Sequence, residues 1–257
     1  MEEIEKLKKI CTSYDIEFEN LSDIINDPKL MPMLRGKSFE YTALRALEKI
    51  LPKNFIIEQP KSNSQLGMHD IDIQVTTPDK KQHSCECKLG AKGKFKFDAK
   101  NEQYVLEIKC MQSRTKGEEI VKKMAPKIGV SVQQLEVHND QYRKQDFDYV
   151  ITTIGNNFYT TNKEDGMYIF NPNEIQKKFL SRFNCKTQQE AFNLIFFAKS
   201  KDLTINKENN IVCRRKKCTD KYNCNFIPNY PRMIFQNNNI KPDFPWFPIN
   251  EIFKECY

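Results

Sequence analysis

Acidic side chains and one lysine recur at alternate positions in two short segments, which are separated by the turn-forming residues 77–80. Asp70 and Asp72 belong to the first segment, and Glu86 and Lys88 belong to the second. Side chains of a β-strand alternate between its two faces, so each pair shares a face. The intervening positions form an apolar face: Ile71, Ile73, Val75, Cys85, Cys87 and Leu89. A core that takes this apolar face leaves three carboxylates and an ammonium group together on the other side of a β-hairpin.

Carboxylates beside an ammonium group are suited to metal-dependent cleavage of a phosphodiester. The reaction needs carboxylate oxygens to hold one or two hard divalent cations such as Mg²⁺, and a positive group to offset the charge that develops on the phosphate. We expect Asp70 or Asp72, together with Glu86, to bind the metal. Lys88 then acts in proton transfer or as an electrostatic stabiliser, and the sequence does not distinguish between these two roles. Glu40, on an upstream helix, is placed to bind the metal directly or through water.

Apolar periodicity predicts the elements that position these side chains. A helix over residues 37–51 carries Glu40 in its first turns and ends at Pro52. A turn at 90–93 is expected after the hairpin. The other predicted elements are helices within 1–30, over 117–138 with a break at Pro126 and Gly129, over 173–183 and over 187–198, and strands at 55–58, 94–98, 104–110, Tyr149–Thr153 and 167–170. This order predicts an α/β fold with a mixed sheet.

The acidic residues also match a family motif. His69-Asp70 stands where the motif has Pro-Asp, Glu86-Cys87-Lys88 where it has Glu-x-Lys, and residues 36–40 are similar to its glutamate-bearing helix. The chain therefore resembles the PD-(D/E)XK nuclease superfamily, especially type II restriction endonucleases, over residues 35 to 155. The resemblance implies a restriction-endonuclease-like mixed β-sheet core flanked by helices.

The resemblance also implies a function. It implies a homodimeric, Mg²⁺-dependent hydrolase that cuts double-stranded DNA at a short sequence. Two alternatives remain open: a structure-selective repair or junction-resolving nuclease, and a DNA-binding protein that keeps a nuclease fold without cleaving. The departure from the motif is His69 in place of proline.

A second placement of the motif exists in the same chain. Asp98 is followed by Glu107 and Lys109, with an apolar run directly before the glutamate. We favour the first hairpin because a helix with a suitably placed Glu40 precedes it. The short polar loop expected after Lys88 also fits the family.

Composition sets broader limits on the class of protein. The 257 residues include 41 Lys and Arg against 34 Asp and Glu, a net charge of +7 that favours binding to polyanions. The nine cysteines, without a signal peptide or an apolar run long enough to cross a bilayer, favour a reducing, cytoplasmic compartment. The expected organisation is a nuclease core with N-terminal helices over residues 1–200 and a loop-rich C-terminal lobe over 201–257.

Several loop residues are candidates for DNA binding. A basic run between two cysteines would neutralise phosphates if it were presented on one surface. An asparagine cluster follows it, and the segments 156–162 and 225–246 are predicted to read bases, since loops carry specificity in folds of this kind. The C-terminal lobe is expected to pack on five aromatic residues: Phe226, Tyr230, Phe235, Phe244 and Trp246. The candidate DNA-binding residues are Arg214, Arg215, Lys216, Lys217, Asn237 and Asn238, with Asn239 beside them.

The C-terminal cysteines raise the question of a structural zinc ion. Cys213, Cys218 and Cys224 lie close in sequence, with Cys185 as a distant fourth. Their spacing falls outside the tight Cys-x2-Cys knuckle, so the sequence does not assign zinc to them. The histidines His83 and His138 are isolated in sequence and are expected to be surface or structural residues.

Overall fold

A mixed β-sheet flanked by helices is the central feature of the computed structural model, which describes residues 2–60, 71–112 and 115–254. The helices are α1 (Glu2–Ser13), α2 (Leu21–Ile25), α3 (Met31–Ile50), α4 (Glu118–Lys127), α5 (Val132–Val137), α6 (Glu174–Ser181) and α7 (Gln188–Phe192). The strands are β1 (Ile56–Glu58), β2 (Ile73–Thr76), β3 (Gln82–Asp98), β4 (Gln103–Ile108), β5 (Tyr149–Thr153), β6 (Tyr159–Thr161), β7 (Tyr168–Phe170), β8 (Ile195–Lys199), β9 (Arg232–Gln236) and β10 (Phe247–Pro248). The α/β class and the mixed sheet predicted from the sequence are confirmed.

Strand β3 joins the two halves of the main sheet. Its first half pairs with β2 in an antiparallel and with β5 in a parallel arrangement, and its second half pairs with β4. Strand β9 extends the sheet beyond β4, while β8 and β10 extend it beyond β5, and β1 lies at the edge next to β2. The predicted hairpin is present, with Ile73 opposite Cys85. The hairpin thus lies inside the sheet, where its register is fixed from both sides.

A bulge bends β3 just after Gly90, where its register with β4 shifts. The Asn157 side chain lies inside the bend, and a Cβ atom on Gly90 would lie only 2.0 Å from its Oδ1. The two N–H groups of Asn157 Nδ2 are shared among three backbone carbonyls at 2.9 to 3.0 Å: those of Ala91, Lys94 and Glu107. The turn predicted in this segment is therefore wrong, because the strand continues through it as a bulge held by a distant amide.

Apolar side chains cover both faces of the sheet. On one face, α3 packs through Phe39, Ala43 and Leu47 against a layer that includes Ile73 and Cys85. The opposite face is covered partly by α6, through Phe179 and Leu180. Their layer includes Tyr104, Leu106, Val150, Phe196 and Phe235. The alternation predicted for β3 is present, since Cys85, Cys87 and Leu89 all pack on the α3 side.

The helix predicted over 187–198 is wrong in its second half. Helix α7 ends at Phe192 and the chain continues as β8, a buried strand between β5 and β10. Ala191, Leu194, Ile195 and Ala198 have helical spacing, but a short apolar run has the same appearance in a strand that is buried on both faces. Pairing with β5 decides between the two states.

Two other boundaries differ from the prediction. Helix α3 begins at Met31 instead of residue 37, with Pro32 in its first turn, where proline's missing N–H is not needed. Although α3 has 20 residues, no helix within the described ranges is both long and apolar enough to cross a bilayer. The C-terminal segment contains β9, which pairs with β4, so it is not irregular throughout.

The aromatic residues of the C-terminal segment divide into two groups. Phe226, Phe235 and Trp246 are buried, as predicted. Tyr230 and Phe244 are 44% and 64% exposed, so they lie outside the buried core, although the Phe244 ring contacts the ring of Phe247. Their positions in loops leave these two rings on the surface, whereas Phe235 lies within a strand.

Candidate functional site: a carboxylate and lysine cluster

Four of the predicted site residues come together where the end of the β2–β3 hairpin meets α3. Glu86 and Lys88 project from the same face of β3, Asp72 lies just before β2, and Glu40 reaches the group from α3. Asp70 lies outside the described residues, as does His69.

Glu86, Lys88 and Tyr142 form the inner part of the cluster. The Lys88 Nζ lies 2.7 Å from Glu86 Oε1, and the Tyr142 hydroxyl donates to the same oxygen at 2.8 Å. The Lys88 ammonium also lies 5.1 Å from the centre of the Tyr142 ring. The side chains of Glu86 and Lys88 are only 11% and 19% exposed. The ion pair is therefore largely shielded from water, where its attraction is stronger than at a surface.

Asp72 lies beside this pair and is held by the backbone of β3. Its Oδ2 accepts a hydrogen bond from the Cys87 N–H at 2.7 Å. Burial, together with the negative charges of Glu86 and Glu40, raises the pKa of Asp72 to about 7, because these effects outweigh the Cys87 N–H and Lys88, which lower it. An isolated carboxyl in this position holds a proton near neutral pH, whereas a divalent cation would replace that proton.

The buried carboxylate of Glu86 raises the pKa values of both Lys88 and Tyr142. Burial by itself lowers the pKa of Lys88, but the Glu86 carboxylate and Tyr142 outweigh it, so the pKa is raised and the ammonium stays charged. Burial raises the pKa of Tyr142, and the adjacent Glu86 raises it further. Tyr142 is consequently a neutral hydrogen-bond donor at neutral pH, while Lys88 is a fixed positive charge.

Glu40 is oriented by two polar side chains at the opening of the cluster. Lys37, one turn earlier on α3, forms an ion pair with Glu40, and the Gln59 Nε2 donates to Glu40 Oε2 at 3.0 Å. Burial opposes the charge on Lys37, yet Glu40 and the more distant Asp72 raise its pKa. Lys37 therefore supplies a second positive charge facing the carboxylates.

Three side chains of the cluster carry the ligand type that suits a hard divalent cation. Asp72, Glu86 and Glu40 offer carboxylate oxygens, the ligand type that Mg²⁺ prefers. When all groups are ionised, three negative charges face two positive charges from Lys37 and Lys88, which leaves a net charge of −1. A cation between the carboxylates would offset the repulsion that raises the pKa of Asp72.

The second placement of the motif is not brought together. Asp98 lies opposite Gln103, four positions before Glu107 on β4. That separation is about 14 Å along a strand that rises about 3.4 Å per residue. The Asp98 carboxylate instead accepts from Asn101 Nδ2 at 2.8 Å, in the turn that follows β3. Lys109 is exposed to solvent.

The asparagines at the start of the 156–162 segment are structural, so the prediction that they read bases is wrong. Asn157 is fully buried at the bulge in β3, and Asn156 is 6% exposed. The Asn156 Nδ2 donates to the Gly90 carbonyl at 2.6 Å, while its Oδ1 accepts from Arg35 at 3.0 Å. The amide nitrogens of both side chains donate to backbone carbonyls within the protein, and both residues are buried away from solvent.

The candidate DNA-binding residues of the C-terminal segment are mostly on the surface. Arg214, Lys216 and Lys217 are exposed, whereas Arg215 is half-buried and forms an ion pair with Asp140. The asparagine cluster lies in the turn after β9. There Asn238 and Asn239 are exposed, and the backbone N–H of Asn237 donates to the Glu102 carbonyl at 2.9 Å.

Sequence reasoning missed three residues of the cluster. Tyr142 lies in a loop far from the hairpin, and no motif connects it with Glu86. Gln59 follows β1 and has no local pattern of its own. Lys37 alone had a signal, since it stands three positions before Glu40, a spacing at which oppositely charged side chains meet on a helix.

Comparison with other proteins adds no relative to this description. No family model, no curated protein and no solved structure matches the chain.

Proposed function

We propose that the chain is a Mg²⁺-dependent endonuclease that hydrolyses phosphodiester bonds of double-stranded DNA. The observation that carries the proposal is the convergence of Glu86, Glu40 and the buried, charged Lys88 on Asp72. The order of helix, hairpin and parallel strand β5 around this cluster supports a restriction-endonuclease-like core.

Each side chain has a role in this proposal. Asp72 and Glu86 are the metal ligands, and Glu40 binds the metal directly or through water, oriented by Gln59. Bound there, Mg²⁺ supplies Lewis-acid chemistry that polarises the phosphate and activates the attacking water. Lys88 stabilises the negative charge that develops on the phosphate, because its raised pKa keeps it protonated. Tyr142 orients Glu86.

The finer assignment is a type II restriction endonuclease that acts as a homodimer in the cytoplasm. Cutting both strands of a duplex at one position requires two active sites, which a dimer of identical chains provides. The net charge of +7 favours association with DNA, and the exposed Arg214, Lys216 and Lys217 are candidates for phosphate contacts. Asn237 and Asn238 are candidates for base contacts.

Plasmid cleavage tests the proposal. We expect the purified protein to convert a supercoiled plasmid into discrete linear fragments with Mg²⁺ and to leave it intact with EDTA. Glu86→Gln should abolish cleavage while preserving DNA binding in a gel-shift assay, and Glu107→Gln, from the second motif placement, is the matched control that should cut normally. Cleavage by Glu86→Gln at the wild-type rate would contradict the proposal.

The products separate restriction from related activities. Discrete bands of constant size support a sequence-specific enzyme, whereas nicked circles or cleavage confined to branched DNA indicate a repair or junction-resolving nuclease. A gel shift with no cleavage under any divalent metal would indicate a binding protein. If Asn237, Asn238 and Asn239 are replaced together and the fragment pattern does not change, these residues do not read the sequence.

A further inference from the structure

A second cluster of potential metal ligands lies apart from the carboxylates, between α5 and the C-terminal segment. His138, at the end of α5, meets Cys213, Cys218 and Cys224. One ligand atom from each of the four residues lies within 4.8 Å of the other three, and all four residues are buried. In a tetrahedral zinc site, Zn–S bonds of about 2.3 Å place the sulfur atoms about 3.8 Å apart. The cluster thus needs only a small contraction to bind the ion.

The hydrogen bonds around His138 leave one nitrogen without a partner. The Gln141 Nε2 donates to the Ile227 carbonyl at 2.8 Å, so the Gln141 Oε1 is the atom that faces His138 Nδ1, at 2.5 Å. An amide oxygen can only accept, and therefore Nδ1 carries the proton and Nε2 has a free lone pair. His138 is fully buried, and its Nε2 has no hydrogen-bond partner among the residues that the structure describes. A metal-bound histidine usually donates its other ring N–H to an acceptor in this way.

The cysteines are prepared for the same role. The three thiols are free, although they lie close enough to one another to interact. The backbone N–H of Arg215 donates to the Cys213 sulfur at 3.4 Å, so this side chain is held in place beside the other two cysteines. A purely apolar role for these cysteines would leave the unpaired His138 Nε2 unexplained, since a buried polar atom without a partner costs stability.

We propose that His138, Cys213, Cys218 and Cys224 form a structural Zn²⁺ site. Binding replaces the three thiol protons, which are released to solvent, and uses the lone pair of His138 Nε2. Four protein ligands leave no position for water or substrate, so the site is structural and not catalytic. The site does not depend on the function proposed for the carboxylate cluster.

The structure also corrects the ligand set considered from the sequence. Cys185 is not part of the cluster, since it packs against the core layer next to α6. His138 is isolated in sequence, but it is fully buried beside the three cysteines, so of the two expected roles a surface position is wrong. The spacing between the cysteines alone could not identify it.

A zinc ion at this site would hold two segments of the chain in place. The basic run of residues 214–217 spans Cys213 and Cys218, so both ends of this loop would be held by the ion. On the other side, the chain runs from His138 through Gln141 to Tyr142, whose carbonyl accepts from the Ile227 N–H at 2.7 Å. The ion would thereby join the loop-rich C-terminal segment to the residues that lead into the carboxylate cluster.

Metal analysis of the purified protein tests the proposal. After exchange into buffer with a weak chelator, we expect about one zinc ion per chain by inductively coupled plasma mass spectrometry. Cys224→Ser should lower this content about tenfold or more, because three ligands do not close the site. Cys185→Ser is the matched control and should retain the ion. Cobalt-substituted protein should show the visible absorption of a tetrahedral thiolate site.

Wild-type measurements alone can overturn the proposal, so it does not depend on a variant that folds. Mass spectrometry after alkylation without reduction distinguishes the states of the cysteines. A disulfide within the cluster would contradict the proposal, as would zinc-free, folded protein whose cobalt form lacks thiolate bands. Another metal bound in place of zinc would also contradict it.

Discussion

Replacing Asp72 with asparagine should stabilise the protein while it destroys the metal site. The pKa of Asp72 is raised from 3.8 to about 7 by burial and by the charges of Glu86 and Glu40. The protonated form of such a carboxyl contributes to the free energy of unfolding. This contribution is fully present below pH 3.8 and is lost as the pH rises through about 7. At pH 8 the ionised Asp72 is therefore unfavourable in the folded, metal-free protein. Asparagine cannot ionise, and its Oδ1 can still accept from the Cys87 N–H.

The size of the effect follows from the shift. A change from 3.8 to about 7 corresponds to an upper limit of roughly 4 kcal/mol, at about 1.4 kcal/mol per pKa unit. Because local relaxation and residual water lower this limit, we expect Asp72→Asn to raise the free energy of unfolding at pH 8 by about 1–3 kcal/mol. A gain of that size raises Tm by about 2–4 °C per kcal/mol in a chain of this length. At pH 4 the gain should nearly vanish, since wild-type Asp72 is then protonated.

Thermal unfolding at pH 4 and pH 8, with EDTA and with Mg²⁺, measures both halves of this prediction. Mg²⁺ should raise the Tm of the wild type, because a ligand that binds only the folded state stabilises it, and should not raise that of Asp72→Asn. Asp98→Asn is a suitable control. The pKa of Asp98 is lowered by its hydrogen bond to Asn101, so this change should not stabilise the protein at pH 8. An Asp72→Asn variant that is less stable than wild type at pH 8, or that keeps its response to Mg²⁺, would refute the reasoning.

Three further substitutions test separate parts of the account. Lys88→Ala should lower the rate of plasmid cleavage by about 10²–10³-fold and spare DNA binding, because it removes a charge aimed at the phosphate. Lys109→Ala is the control and should cut normally. An equal loss of cleavage in both variants would argue against the site. Tyr142→Phe removes the hydroxyl that donates to Glu86 at 2.8 Å and should weaken Mg²⁺ binding or activity about 10–100-fold. Titration calorimetry and initial cleavage rates measure these two effects. A variant with unchanged binding and activity would show that Tyr142 is not part of the site. Asn157→Ala removes the side-chain donor of three carbonyls at the bulge and should cost about 2–3 kcal/mol in urea unfolding. A loss below about 0.5 kcal/mol would mean that the bulge does not need this amide.

The sequence predicts the parts of the structure that depend on local pattern. Alternation along β3 is enough to place Glu86 and Lys88 on one face and Cys85 and Cys87 on the other, because a strand has a fixed two-residue period. The hairpin and β5 are predicted for the same reason. The helix that carries Glu40 is also predicted, although it begins one and a half turns earlier than expected.

Features that depend on distant pairing were not predictable. The run Ile195–Lys199 becomes a strand only because β5 lies beside it. Asn157 has the composition of a surface loop, and its structural role follows from a bulge in β3 whose position the sequence does not reveal. Tyr142 and His138 belong to clusters whose other members are far away in the chain. Such residues carry no local signal, so only the folded arrangement identifies them.

The most direct test of the central claim is the position of a bound metal. Crystals soaked with Mn²⁺, which replaces Mg²⁺ and scatters anomalously, would locate it. The account predicts an anomalous peak about 2.0–2.3 Å from carboxylate oxygens of both Asp72 and Glu86, on the side that faces Lys88. A strong peak at Asp98 or Glu107 with none between Asp72 and Glu86 would contradict it.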